Sequence, residues 1–192
     1  MIRTPQEWCR GLHVTGFTGQ QLDVELPNVG HGSETVQVET LVADGEYLLV
    51  VLLGSHYCSR SRELVRVLSG RDDAFRRRAT TVLPVLPDIR ERARLWNRQY
   101  DLPFPMLADP AEDGDGTGEG PSGNEATFGV FEPLRDSVAA LPAVALCRAD
   151  ETGLTVVATE TEAALEVPVV ESLLGFVNHH RTSDSAATPA DS

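Results

Sequence analysis

The apolar stretch YLLVVLLG at residues 47–54 limits the architecture more than any other part of this chain. No polar residue interrupts it from Tyr47 to Leu53, so neither face of an extended segment can meet water. It is far shorter than the roughly 20 residues a bilayer span requires. A strand of this kind belongs inside a sheet with further layers stacked on both faces. The next segments keep to that plan. Residues 59–79 carry Leu64, Val65, Val67 and Leu68, then Ala74 and Phe75, which predicts a helix broken near Ser69 and Gly70. TTVLPVLPD at 80–88 reads as a second buried strand, its prolines pointing to an edge or a strand end. IRERARLWNRQYDL is an amphipathic helix with Ile89, Ala93, Trp96 and Tyr100 on one side. Asp88 is its expected N-cap, with Glu91 completing a capping box.

Further along, LPFPMLADP at 102–110 is extended, because its prolines forbid a helix. The acidic, glycine-rich stretch 111–126 reads as a loop. LPAVALCRAD and GLTVVATETE form two strands of an antiparallel hairpin turning around Asp150–Gly153. VPVVESLLGFVNHHR is a last amphipathic helix, and residues 182–192 are expected to be a disordered tail. The first 46 residues look irregular or weakly β, with a short helix at TPQEW capped by Thr4, Pro5 and Glu7. The order β-α-β-α, then β-β-α, describes a layered α/β domain with a mainly parallel sheet and a hairpin edge.

Charge narrows the function classes. The net charge is −13, and every basic residue is an arginine, since the chain contains no lysine. Such a surface suits a protein kept soluble in concentrated salt, and it disfavours nucleic acid, whose phosphates call for a basic face. The opening MIRTPQEWCRGLHVTG has no apolar signal core, and three widely spaced cysteines make no disulfide framework. A cytoplasmic protein with reduced thiols and no membrane association is expected. Neither a phosphate-binding glycine loop nor a dinucleotide fingerprint is present, so no cofactor is expected. Asp113, Asp115 and Thr117 imitate the start of a calcium loop, but Asn124 stands where the closing glutamate belongs. His179 and His180 do not complete a ligand set, so no metal is expected.

Cys58 is the residue with chemical promise. It lies just beyond the 47–54 strand and at the start of the next helix, where unpaired N–H groups and the helix dipole favour a thiolate. Arg60 and Arg62 add positive charge, and Ser55 and Ser61, three residues to either side, can each offer a hydroxyl. His56 can donate a proton or favour the thiolate, or simply belong to the turn. A half-buried cysteine acting as a small apolar residue fits the same pattern.

The segment GSHYCSRSREL resembles the active-site segment of the thioredoxin-fold superfamily, in its peroxiredoxin-like (alkyl hydroperoxide reductase/thiol-specific antioxidant) branch. Tyr57, Cys58-Ser59-Arg60-Ser61 and Arg62-Glu63-Leu64 stand where those proteins carry an aromatic residue, Cys-x-x-Cys and Arg-Glu-Leu. LPNVG at 26–30 is similar to the opening of such domains, and LPFPMLADP to a segment after their second helix. Leu141-Pro142-Ala143 takes the place of the family's cis-proline, whose loop faces the active-site cysteine. The resemblance spans roughly residues 22–180. It implies a thioredoxin-like three-layer α/β/α fold with a central mixed sheet and a C-terminal hairpin plus helix. It also implies an N-terminal extension at 1–21, a redoxin domain at 22–181, and a catalytic set of Cys58, Ser55, Ser61 and Pro142.

The chain departs from the family pattern in ways that shape the expected function. Ser61 replaces the second cysteine of a dithiol site and cannot resolve a mixed disulfide. Val51 stands where a typical peroxiredoxin has proline, and neither Arg135 nor Arg148 aligns well with the arginine that polarises the peroxide. The reading is a one-cysteine peroxidase acting through Cys58 on a peroxide. Its sulfenic acid is then reduced by Cys9, Cys147, another subunit of a homodimer, or an external thiol. A monothiol disulfide oxidoreductase, and a non-catalytic binding or redox-sensing module, are the alternatives. Cys147 sits in an alternating strand and is expected to be buried.

Overall fold

The computed structural model of the chain describes residues 25–43, 45–111, 127–150, 153–165 and 169–187. The expected helix at TPQEW, Cys9 and the calcium-like loop lie outside them. A short antiparallel ribbon comes first, β1 (Glu25–Pro27) with β2 (Thr35–Gln37). The main sheet contains β3 (Tyr47–Leu52), β4 (Thr80–Leu86), β5 (Leu107–Ala108), β6 (Ala143–Asp150) and β7 (Gly153–Thr161), in the order β5-β4-β3-β6-β7. β3, β4 and β5 run parallel, while β6 and β7 are antiparallel to their neighbours, so the sheet is mixed. The helices are α1 (Ser59–Ser69), α2 (Asp72–Arg76), α3 (Arg90–Tyr100), α4 (Glu132–Asp136) and α5 (Val169–Ala187).

The uninterrupted run at 47–52 becomes the central strand for the reason its composition gives. Tyr47 is 5 % exposed and Leu48 to Leu52 are fully buried, each aliphatic side chain contributing about 1.5–3 kcal/mol on leaving water. Its alternate residues feed two cores. Leu49, Val51 and Leu53 pack with Leu64, Val65 and Leu68 of α1, Phe75 of α2, Trp96 of α3 and Leu173 and Phe176 of α5. Leu48, Val50 and Leu52 face the other way, toward Leu26, Val38, Phe131 and Leu134. The two crossovers β3-α1-β4 and β4-α3-β5 step in the same direction along the sheet. Right-handed connections therefore place both helices on one face. The opposite layer is thinner, made from the β1–β2 ribbon, α4 and the segment around it.

Two expectations change at this level. β4 is not an edge strand, because β5 continues the sheet beyond it. Pro84 is tolerated because β5 pairs only with Val85 and Leu86. Leu53 N–H bonds Val85 O, and Asp109 N–H bonds Leu86 O. Pro84, two residues before Leu86, thus turns its missing N–H toward β5 just before that pairing begins. The last helix does not stop at residue 181, after which a tail was expected, but continues to Ala187.

The LPNVG and LADP segments meet at the sheet end where β3 and β4 terminate, since Asn28 bridges Leu107, which pairs with Val85. Asn28, 3 % exposed, accepts N–H groups of Gly30 and Met106 at 2.9 and 3.0 Å and donates to the carbonyls of His31 and Ser33. Gly30 is required there by close approach, since a Cβ would lie 2.5 Å from Met106 N and Phe104 O. Asp109 is 2 % exposed and accepts the N–H groups of Val130 and Phe131, both at 2.9 Å, which fixes the entry to α4.

Candidate active site

The carboxyl ends of β3 and β4 and the amino end of β6 lie together, because Leu52 pairs with Val85 on one side and Ala143 on the other. Past Leu52 the chain leaves the sheet in steps. Leu53 N–H still reaches Val85 O at 3.0 Å, and Gly54 N–H turns to Ser61 Oγ at 3.0 Å. Ser55 to Cys58 then form a turn closed by Cys58 N–H to Ser55 O at 3.0 Å. Cys58 is the N-cap of α1: its backbone is extended, its carbonyl accepts Arg62 N–H, and its Sγ accepts Ser61 N–H at 3.5 Å. The residue is partly exposed. A negative charge on it would face an unpaired N–H of the first helical turn and the positive end of the dipole.

The expected companions divide. Ser61 is fully buried and its hydroxyl holds Gly54, so it is the backbone N–H of Ser61 that meets the sulfur, not the side chain. Ser55 contributes its carbonyl to the turn. Pro142 follows a cis Leu141–Pro142 bond at the start of β6, at the same sheet end as Cys58, and its carbonyl accepts Glu162 N–H at 2.9 Å. Both arginines near the cysteine have other partners. Arg60 pairs with Glu162 at 4.0 Å, and Arg62 donates to Tyr57 O at 3.4 Å. Val51 is a buried mid-strand residue.

Neither candidate polarising arginine lies on the α1 face at this end. Arg148 pairs with Tyr47, at the far end of β3. Arg135 lies on α4, whose Leu134 packs on the face opposite α1, and donates to Val138 O at 3.2 Å. Cys147 is likewise ruled out as a resolving thiol. It pairs with Leu48, four residues from the Leu52–Ala143 pair, which is roughly 13 Å along the strand. Its side chain enters the core opposite α1. Burial without any compensating charge pushes this thiol up to about 12, so it remains neutral across the physiological range. Iodoacetamide applied to the native protein at pH 8 is expected to leave Cys147 unlabelled, and to label it once the chain is unfolded in urea. Peptide mass mapping reads both states, and native labelling would contradict this burial.

Asp88 is the residue whose expected role changes most. The N-cap position of α3 belongs to Ile89, and no side chain caps it. The Asp88 carboxylate points across to the neighbouring strand's loop instead, where Oδ2 meets His56 Nδ1. Oδ1 accepts Ile89 N–H at 2.8 Å and lies 3.5 Å from Arg92 Nη1. The His56 ring also contacts Tyr57, with centroids 3.7 Å apart, while Tyr57 itself is 75 % exposed. An open polar cleft of about 320 Å³ lies between α1 and the carboxyl end of α3, lined by Ser59, Arg62, Glu63, Arg66, Gln99 and Tyr100. Among the described residues no group of histidine, cysteine and carboxylate side chains could hold a metal ion.

A mixed sheet with a cysteine at the N-cap after its central strand and a cis-proline on the neighbouring strand defines a thioredoxin-like domain. The AhpC/TSA family model matches residues 18–115, and the chain belongs to that family. No curated protein matches it. Among solved structures it is similar to a mutant of peroxiredoxin Q from Xanthomonas campestris, at 13% identity and a TM-score of 0.59, covering 84% of this chain and 93% of that one. It is also similar to a secreted Mycobacterium tuberculosis disulfide oxidoreductase homologous to E. coli DsbE, at 20% identity and a TM-score of 0.52, covering 82% and 96%. Peroxidoxin BcpB from Mycobacterium tuberculosis gives 12% and 0.56, covering 81% and 91%. At these identities the likeness is one of fold.

Proposed function

We propose that this protein is a one-cysteine thiol peroxidase that reduces hydrogen peroxide or an organic hydroperoxide at Cys58. The observation that carries this reading is Cys58 itself, a partly exposed residue whose sulfur accepts Ser61 N–H at the helix start. With serine at 61 and Cys147 across the sheet, the sulfenic acid has no resolving partner among the described residues. An external thiol completes the cycle, and a reducing cytoplasm would supply one. A second reading, monothiol disulfide exchange, is favoured by Tyr57, whose exposed ring beside the cysteine offers an anchor for a polypeptide partner.

One equivalent of hydrogen peroxide, added in molar potassium chloride with dimedone as a sulfenic-acid trap, separates the two. Rapid addition of a single dimedone, mapped to Cys58, is expected. An unmodified chain under conditions that oxidise a control peroxidase removes the peroxidase reading and leaves disulfide exchange.

A further inference from the structure

We propose that His56 is the proton carrier of the Cys58 reaction and that Asp88 is its positioning residue. The inference rests on the peroxidase reading above. Peroxide cleavage by a thiol needs two proton movements. The thiol must lose a proton to become the nucleophile, and the oxygen leaving the broken O–O bond must gain one. The arginines considered for polarising the peroxide are elsewhere, Arg148 at the far end of the sheet and Arg135 on α4 across it. His56 is the imidazole that the fold brings into the cysteine's own turn.

The geometry has three parts. His56 and Tyr57 are the central residues of the turn that Cys58 N–H closes onto Ser55 O, which sets His56 two residues before the cysteine within one turn. The ring's Nδ1 is turned onto Asp88 Oδ2, leaving Nε2 as the nitrogen that can exchange a proton with the reacting atoms. The imidazole keeps a window to solvent, with 18 % of its side chain exposed, whereas the Asp88 side chain is only 8 % exposed. Among the described residues, Oδ2 meets His56 alone, while Ile89 N–H and Arg92 hold Oδ1. A buried carboxylate fixed in this way orients the ring and stabilises it when charged, the role such a group plays behind a catalytic histidine.

The balance is complete with the peroxide as the only co-reactant. Nε2 takes the Cys58 proton, giving a thiolate and an imidazolium. The sulfur attacks the terminal peroxide oxygen, forming the S–O bond of a sulfenic acid while the O–O bond breaks and its electron pair leaves on the alkoxide. Nε2–H then returns the same proton to that oxygen, releasing an alcohol, or water from hydrogen peroxide. Sulfur is oxidised, the peroxide is reduced, and His56 ends as it began.

Proton return predicts a dependence on the leaving group that a merely structural histidine would not produce. The test compares wild type, H56Q and D88N as full-length proteins in three single-turnover reactions at one pH. These are oxidation by tert-butyl hydroperoxide, whose alkoxide needs a proton to leave, oxidation by peracetic acid, whose carboxylate does not, and alkylation by iodoacetamide, which reads the thiolate alone. Normalised to its own alkylation rate, H56Q is expected to lose about 10²-fold or more against tert-butyl hydroperoxide and only a few-fold against peracetic acid, with D88N between H56Q and wild type. Equal losses in all three reactions would overturn the proton-carrier role while leaving Cys58 a peroxidase. A wild-type protein that alkylates yet reacts with neither oxidant would overturn the peroxidase reading and this inference with it. Should H56Q not fold, D88N, which keeps the imidazole, carries the same comparison.

Discussion

Replacing Cys58 with serine is expected to abolish peroxide reduction while leaving the fold almost untouched. The hydroxyl of serine does not ionise near neutrality and does not attack an O–O bond, so consumption of peroxide in the presence of excess dithiothreitol should fall to the buffer background. The structural side of the exchange is mild because Cys58 is an N-cap, accepting Ser61 N–H, and serine is among the best residues at that position. The denaturant midpoint should therefore hold or rise slightly, a change within about 1 kcal/mol. Measured together, the two results separate chemistry from stability. Retained peroxide consumption in C58S would place the reaction elsewhere in the chain.

The second large effect is structural. Asn28→Ala removes a side chain that satisfies two N–H groups and two carbonyls at once, in a position only 3 % exposed. Each buried polar group left without a partner costs about 1–3 kcal/mol. Some of these groups can regain water at the loop surface, so a total of about 3–5 kcal/mol is expected. For a chain of this size that corresponds to a Tm lower by roughly 10 °C. Urea unfolding followed by tryptophan fluorescence checks it. A loss below about 1 kcal/mol would mean that the junction between the 26–33 loop and residues 104–106 is not held by this residue. Asn28 makes none of the hydrogen bonds that hold the Ser55–Cys58 turn, so the folded fraction of N28A should keep its dimedone labelling.

Much of the architecture was legible because it depends on local pattern. An aliphatic run without a polar face, a helix interrupted at Ser69–Gly70 and a hairpin at Asp150–Gly153 each carry their own signal, and each appears where expected. The position of Cys58 at a strand-to-helix junction is local too, and its N-cap geometry follows from the same few residues. Pro84 was harder. A proline in a strand signals a missing ladder bond, but which side lacks a partner depends on how far β5 extends, and that is set some twenty residues downstream.

The active-site partners were not legible in the same way. Asp88 with Glu91 three positions later carries an acceptable helix-capping pattern, and nothing local contradicts it. Its actual partner, His56, lies far off in sequence, and the two meet because β3 and β4 run parallel with Leu52 beside Val85. Residues just past the carboxyl ends of adjacent parallel strands converge on one cleft, but the register that selects this pair is not written in either strand alone. Ser61 shows the same limit. Its hydroxyl was expected at the sulfur, and packing under the end of β3 gives it to Gly54 instead. The sequence by itself determined a buried central strand, a cysteine opening the helix after it, and the absence of a second thiol at position 61, because these rest on side-chain chemistry and short spacing. Only the tertiary structure decided that Cys147 lies across the sheet and that His56 is backed by Asp88, because both depend on strand register and on which face a side chain enters.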